Sequence, residues 1–123
     1  MQLAWIVVVL TLMVAAPSWA AESLSPLVAD WQSYFRVDAD STTRDGRAIV
    51  SGKVLNISSW AAKRIQLLVE GLDANGQPVG QRVVWLGIDL GAGTHAFFDV
   101  PMSPAASYRV SVFAFDSRRG RWG

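Results

Sequence analysis

The chain contains no cysteine and a single histidine. Without cysteine there is no disulfide framework, no thiolate metal site, no cysteine nucleophile and no lipidated cysteine anchor. With His95 alone, imidazole chemistry has one candidate, and a general base needs a nucleophile and an orienting partner around it. Charge is sparse and balanced: 11 Lys and Arg against 10 Asp and Glu, a net charge of +1. Such a domain has no broad field to draw it to nucleic acid or to anionic lipid. Also absent is an apolar run of the roughly 20 residues that a spanning helix requires.

What apolar run there is lies at the start. Leu3 to Ala16 is broken only by Thr11 and ends at Pro17, and Ser18-Trp19-Ala20 places small residues where a signal peptidase reads. This is the layout of a secretory signal, although no Lys or Arg precedes it. Residues 1–20 are therefore expected to be a signal peptide, with a periplasmic or secreted mature chain and no stable membrane span after processing. An uncleaved anchor is the alternative. A domain of about 100 residues without disulfides must rest on its hydrophobic core, and that length can supply one.

The rest of the chain reads as strands. Residues 21–30 form a tether, or a very short helix capped by Ser25 and Pro26 with Leu27, Val28 and Trp31 on one side. A β-domain is expected over 31–117 and a basic tail over 118–123. Tyr34–Val37 reads as a strand and Asp38–Gly46 as a polar turn region. Ala48–Asn56 alternates, with Val50, Gly52 and Val54 on one face. Arg64–Glu70 and Val79–Leu86 flank Asp73-Ala74-Asn75-Gly76, and Asn-Gly tolerates the positive φ angles of a tight hairpin. Ala96–Val100 and Tyr108–Asp116 complete the set. Gly52 inside a strand predicts close packing or a bulge, Asn56 a strand end bonded to nearby backbone, and Asp73 the start of its turn. The spacing predicts an all-β fold, an immunoglobulin-like (Greek-key) antiparallel β-sandwich of about seven strands.

Four stretches, Val50-Ser51-Gly52-Lys53-Val54-Leu55-Asn56, Val69 to Gly80, Leu90-Gly91-Ala92-Gly93 and Phe98-Asp99-Val100-Pro101, resemble the FxLYD-type domains, small immunoglobulin-like sandwiches of bacterial envelope proteins. The likeness spans residues 34 to 116. At the place of the F-x-L-Y-D motif the chain has Val69-Glu70-Gly71-Leu72-Asp73, keeping only the Asp. The resemblance implies a sandwich fold in the envelope and no catalytic residues or cofactor.

Other motifs are weak. Gly91-Ala92-Gly93-Thr94-His95-Ala96 fits a loose dinucleotide fingerprint, but a strand follows where the phosphates need a helix amino end. Asp38, Asp40 and Asp45 suggest calcium, yet the sixth and twelfth positions counted from Asp38 are Thr43 and Ile49, not Gly and Glu. Asn56-Ile57-Ser58 is a glycosylation sequon. Arg118, Arg119 and Arg121 beside Trp122 offer a polyanion contact.

Aromatics are the richer signal. On the last strand, alternation puts Tyr108, Val110, Val112 and Ala114 on one face and Arg109, Ser111, Phe113 and Phe115 on the other. Both faces are apolar, so both need cover, either from the amino-terminal segment or from a partner. Trp60, Trp85, Phe113 and Phe115 are the candidate interaction surface. The expected function is an exported, non-catalytic accessory module making protein–protein contacts, with no cofactor and no metal. The alternative is a sandwich binding a small ligand or glycan on exposed aromatics such as Trp60 or Trp85.

Overall fold

The computed structural model describes residues 23–117. The expected signal peptide and the basic tail, with Trp122, lie outside the described residues. Within them a short 3-10 turn, Trp31–Ser33, leads into six strands: β1 (Phe35–Arg44), β2 (Arg47–Asn56), β3 (Ala62–Leu72), β4 (Pro78–Trp85), β5 (His95–Met102) and β6 (Ser107–Ser117). They form two three-stranded antiparallel sheets, ordered β1-β2-β5 and β4-β3-β6, packed as a sandwich. The chain changes sheet between β2 and β3, again between β4 and β5, and again between β5 and β6.

Six strands, not about seven, occupy the described residues. The short helix expected around Leu27 and Val28 is also corrected: the 3-10 turn begins at Trp31. Asp38–Gly46 is not a loop. β1 runs through it to Arg44, and Asp45 and Gly46, at φ 53° and 76°, make the two-residue turn into β2. Both central φ angles are positive, which suits the right-handed twist of the paired strands. The Asp73 turn forms as its sequence implies. Asp73 Oδ1 accepts from the N–H groups of Asn75 and Gln77, both at 2.9 Å, and Gly76 sits at φ 81°.

The interior has two apolar clusters. One gathers Phe35, Val54, Ile65, Leu67, Leu90, Val112 and Phe115, with Val28, Trp31 and Tyr34 packed against it. The other joins Val50, Val69 and Val100. Alternation holds along β3, with Ile65, Leu67 and Val69 facing inward, and fails at two places where β3 meets β6. Lys63 pairs with Asp116 but Gln66 with Ala114, and Leu67 then pairs with Val112. One extra residue therefore bulges from β3 near Arg64, at φ 49°, and one from β6 at Phe113. Each bulge reverses the side-chain alternation. Phe115 is thereby turned into the core beside Val112, edge-on to Phe35 with ring centroids 4.8 Å apart. Its expected place on the same face as Arg109 and Ser111, opposite Val112, is corrected.

The outer face of β4-β3-β6 has its cover. Leu68 points away from the other sheet and belongs to neither cluster, yet it is 0% exposed. Gln81 on β4 holds Leu24 at both backbone groups, donating to its carbonyl and accepting from its N–H at 2.9 Å. On β6, Phe113 accepts from Leu27 N–H at 2.8 Å. The three residue steps from Leu24 to Leu27 span roughly 10 Å at about 3.3 Å each. Two strand spacings of about 4.8 Å need the same reach, so the segment is a strap across β3. Beneath it Glu70 is buried, accepting from Arg109 Nε and Gln81 Nε2 at 2.8 Å. The contact with Glu70, chiefly its hydrogen bond, raises the Arg109 pKa.

Deleting Ser23–Asp30 should therefore uncover Leu68 and Glu70. Burial of a leucine contributes roughly 1.5–3 kcal/mol, and a loss of about 2 kcal/mol lowers the melting temperature by roughly 8–16 °C in a domain of this size. Calorimetry and binding of a hydrophobic dye measure this. An unchanged melting temperature means the strap does not contribute to the fold.

Candidate functional site

The sandwich has two open flanks, one between the edges of β4 and β5 and one beside β1 and β6. Along β4, the loop after it and β5, four large apolar side chains stand in solvent: Val79 at 61% exposure, Trp85 at 63%, Ile88 at 56% and Phe97 at 72%. Trp85 ends β4 and Ile88 follows it in the loop. Phe97 lies on the outer face of β5 opposite Lys53. Trp85 and Phe97 line one shallow depression with Arg82, Asp99 and Pro101, and Trp85 and Ile88 line the next with Arg64 and Asp89. Trp85 is thus common to two depressions, with Phe97 in one and Ile88 in the other and charged side chains of both signs among their lining. Exposed apolar side chains grouped in this way mark a contact surface more often than scattered single apolars do.

Arg82 helps to keep this flank open and shaped. Its Nη1 donates to the Pro101 carbonyl at 2.8 Å, tying the edge of β4 to the edge of β5. Around Gly52 a third shallow depression is lined by Asp38, Ser51, Lys53, Phe97 and Asp99. Phe97 is thus bordered by Lys53, Asp99 and the His95 ring, which stands edge-on at 5.2 Å.

Of the four residues singled out from sequence, Trp85 lines both of the first two depressions. Trp60 is half in solvent, in the loop from β2 to β3, where its carbonyl accepts from Asn56 Nδ2. Phe113 is half-buried in its bulge under the strap, and Phe115 is core. Ile88 and Phe97 were not singled out. Phe97 was legible as the outward partner of Phe98 in an alternating strand, because Val100 and Phe98 share the inward side. No protein family, no curated protein and no solved structure matches this chain.

The weaker motifs find mechanical roles. In Gly91–Ala96, Thr94 donates both N–H and Oγ1 to the Gly91 carbonyl, Gly93 takes φ 76°, and β5 follows. Among the described residues no helix amino end faces the turn, so the fingerprint reading is set aside. His95 is exposed at the head of β5. Asp38 and Asp40 lie on the outer face of β1 and Asp45 in the turn beyond its end. Among the described residues, no group of His, Asp and Glu is arranged to hold a metal ion.

Asn56 is no glycan acceptor in the folded chain. It is 0% exposed, and its side chain is fully engaged. Nδ2 donates to the Trp60 and Leu90 carbonyls at 2.8 and 3.0 Å. Oδ1 accepts from Ser58 N–H and Oγ at 2.9 and 2.7 Å. Its main chain adds Thr94 and Gly93. One residue thus ties together the loops leaving β2, entering β3 and entering β5, and sets the end of the sandwich from which Trp85 and Ile88 project.

Proposed function

We propose that this chain is an exported, non-catalytic accessory module of the bacterial envelope that makes protein–protein contacts through Trp85, Ile88 and Phe97. The observation that carries the reading is the joint exposure of these three side chains around two depressions that share Trp85. Aromatic anchors of this type dominate binding energy where they enter a partner's pocket. The finer fold reading is immunoglobulin-like, of the FxLYD kind. It is supported by Tyr108, the second residue of β6, which donates its hydroxyl to the Ser103 carbonyl at 2.7 Å. A tyrosine near the start of a late strand, bonded back to the preceding corner, is a mark of such sandwiches. The sequence likeness around Gly52, Asn56 and Asp73 adds to it.

The test is a comparison of partner retention from an envelope fraction by the wild-type domain and by Trp85→Ala/Phe97→Ser. Loss of a tryptophan anchor costs about 2–4 kcal/mol, so retention of specific partners should fall at least about 30-fold with the melting temperature unchanged. The same flank fits a sugar stacked on Trp85 and Phe97, with Asp99 and Lys53 at the ring edge. Titration of tryptophan fluorescence with soluble envelope glycans separates the two. Saturable quenching by a glycan, with protein retention equal in wild type and variant, overturns the protein-contact reading.

A further inference from the structure

At the end of the sandwich away from Asn56, a cavity of about 290 Å³ lies between β4 and the corner that joins β5 to β6. It exists because side chains are missing. Gly71 on β3 pairs with Gly80 on β4, and directly paired residues share a face. That face is the inner one, since Val69, two residues before Gly71, is core. A Cβ on Gly71 would lie 3.0 Å from the Ala105 Cβ, with the Tyr108 ring next, so the corner already fills the space over Gly71. Over Gly80 a Cβ would meet nothing within 4 Å. The interior layer is therefore left unfilled at the edge of β4.

The lining has one sign of charge. Val79, Pro101, Met102, Pro104 and Ala105 make it apolar, and Arg82 is its single charged residue. Gln81 borders the cavity too, but its amide is spent on Leu24 and Glu70. Arg82 pairs with Val69, so it stands on the inner face two residues along β4 from Gly80. A guanidinium carries five N–H donors. Arg82 donates from Nη1 to the Pro101 carbonyl at 2.8 Å and, among the described residues, makes no other side-chain hydrogen bond and no ion pair. Arg64 and Arg109, by contrast, are each matched to a carboxylate. Asp99 lines the neighbouring depression with Trp85 and Phe97, not this cavity.

We propose that this cavity binds a small organic acid, with its one carboxylate on Arg82 and a compact apolar body over Gly80. The unmatched guanidinium sets the sign of the ligand, and its planar fork suits a carboxylate. A phosphate group would bring a second charge to a lining with no second cation. The apolar walls select a hydrocarbon body. The volume, at the small end of ligand cavities of about 300–1,000 Å³, suits one ring or a short alkyl chain. The bond to Pro101 holds the guanidinium before the ligand arrives, so less of its freedom is lost on binding. Trp85, Ile88 and Phe97 are not part of this lining, so the inference does not depend on what they contact.

The probes are benzoate, cyclohexanecarboxylate and hexanoate, each compared with its uncharged primary amide, in the chain from Ala21 to Gly123. In amide proton–nitrogen spectra the acids should shift Gly71, Gly80, Arg82 and Met102 saturably, with dissociation constants of roughly 1 mM or lower. The uncharged amides should bind at least about 10-fold more weakly, as expected for loss of a charge-assisted hydrogen bond. That comparison needs no variant. Arg82→Gln, which keeps a donor but not the charge, should weaken the acids by a similar factor and leave the amides unchanged. Gly80→Leu, whose side chain takes the ligand's place, should abolish binding of both without lowering the melting temperature. Equal affinity for acid and amide overturns the proposal. So does acid affinity unchanged in Arg82→Gln or in Gly80→Leu, or the lack of a saturable shift at these residues with all three acids.

Discussion

Replacing Asn56 with Ala should be among the most destabilising single substitutions in the domain. The side chain makes two donor and two acceptor contacts in a fully buried position. Alanine removes one of two donors from the Leu90 carbonyl, which keeps Ala62 N–H, and one from the Trp60 carbonyl, which keeps Ser58 Oγ, and it takes away the acceptor of Ser58 N–H and Oγ. Each of these four hydrogen bonds contributes about 0.5–1.5 kcal/mol. The expected loss is about 3 kcal/mol, or roughly 12–24 °C in melting temperature. Asn56→Asp is nearly the same size but should be no milder at neutral pH. Its second oxygen replaces a donor that faces two carbonyls, and it brings a charge into a buried site. Ser58→Ala, which keeps the Asn56 donor bonds, should cost only about 1 kcal/mol. Urea denaturation of the three variants checks the order. If Asn56→Ala loses less than Ser58→Ala, the side chain is not the tie between the loops.

Gly52→Ala is expected to be comparably severe for a different reason. A Cβ built on Gly52 overlaps the Asp38 carbonyl oxygen and falls 2.8 Å from the Ala39 Cα. Both are backbone atoms of β1, so no side chain can swing aside, and β1 must move off β2. Overpacking of this kind costs about 1–3 kcal/mol and occasionally more; with backbone on the receiving side, the upper end applies. The paired control is Gly80→Ala on β4, where a Cβ meets nothing within 4 Å. There the smaller unfolded-state entropy should leave the domain neutral or more stable by up to about 1 kcal/mol. Thermal melts of both variants decide it. Equal midpoints would mean that β1 does not approach Gly52 as closely as the structure has it.

These two residues show what a single sequence could reveal. Gly52 was legible as a strand glycine needing close approach, and Asn56 as a strand end bonding to backbone, because each type has few reasons to stand in such a place. Neither position names its partner. The atoms that make Gly52 necessary belong to Asp38 and Ala39, and those that engage Asn56 belong to Trp60 and Leu90. β1 was missed beyond Val37 because alternation signals a strand only when one face is buried. From Asp38 to Arg44 both faces are exposed, so no apolar period appears.

The composition, the alternation in β2, β3 and β6 and the two hairpin turns determine an all-β chain with its apolar interior. They do so because strand period and turn chemistry are local properties, written in neighbouring residues. The faces of β6 were decided by tertiary structure. Two bulges, one contributed by β3 and one by β6, turn Phe115 inward, and no period within β6 alone can report a slip that depends on its partner's register. The exposure of Phe97 and Trp85 was decided in the same way. A large apolar residue reads alike in a sequence whether another element covers it or not, and only the packed sheets leave the β4–β5 flank bare while a strap from the amino terminus covers Leu68.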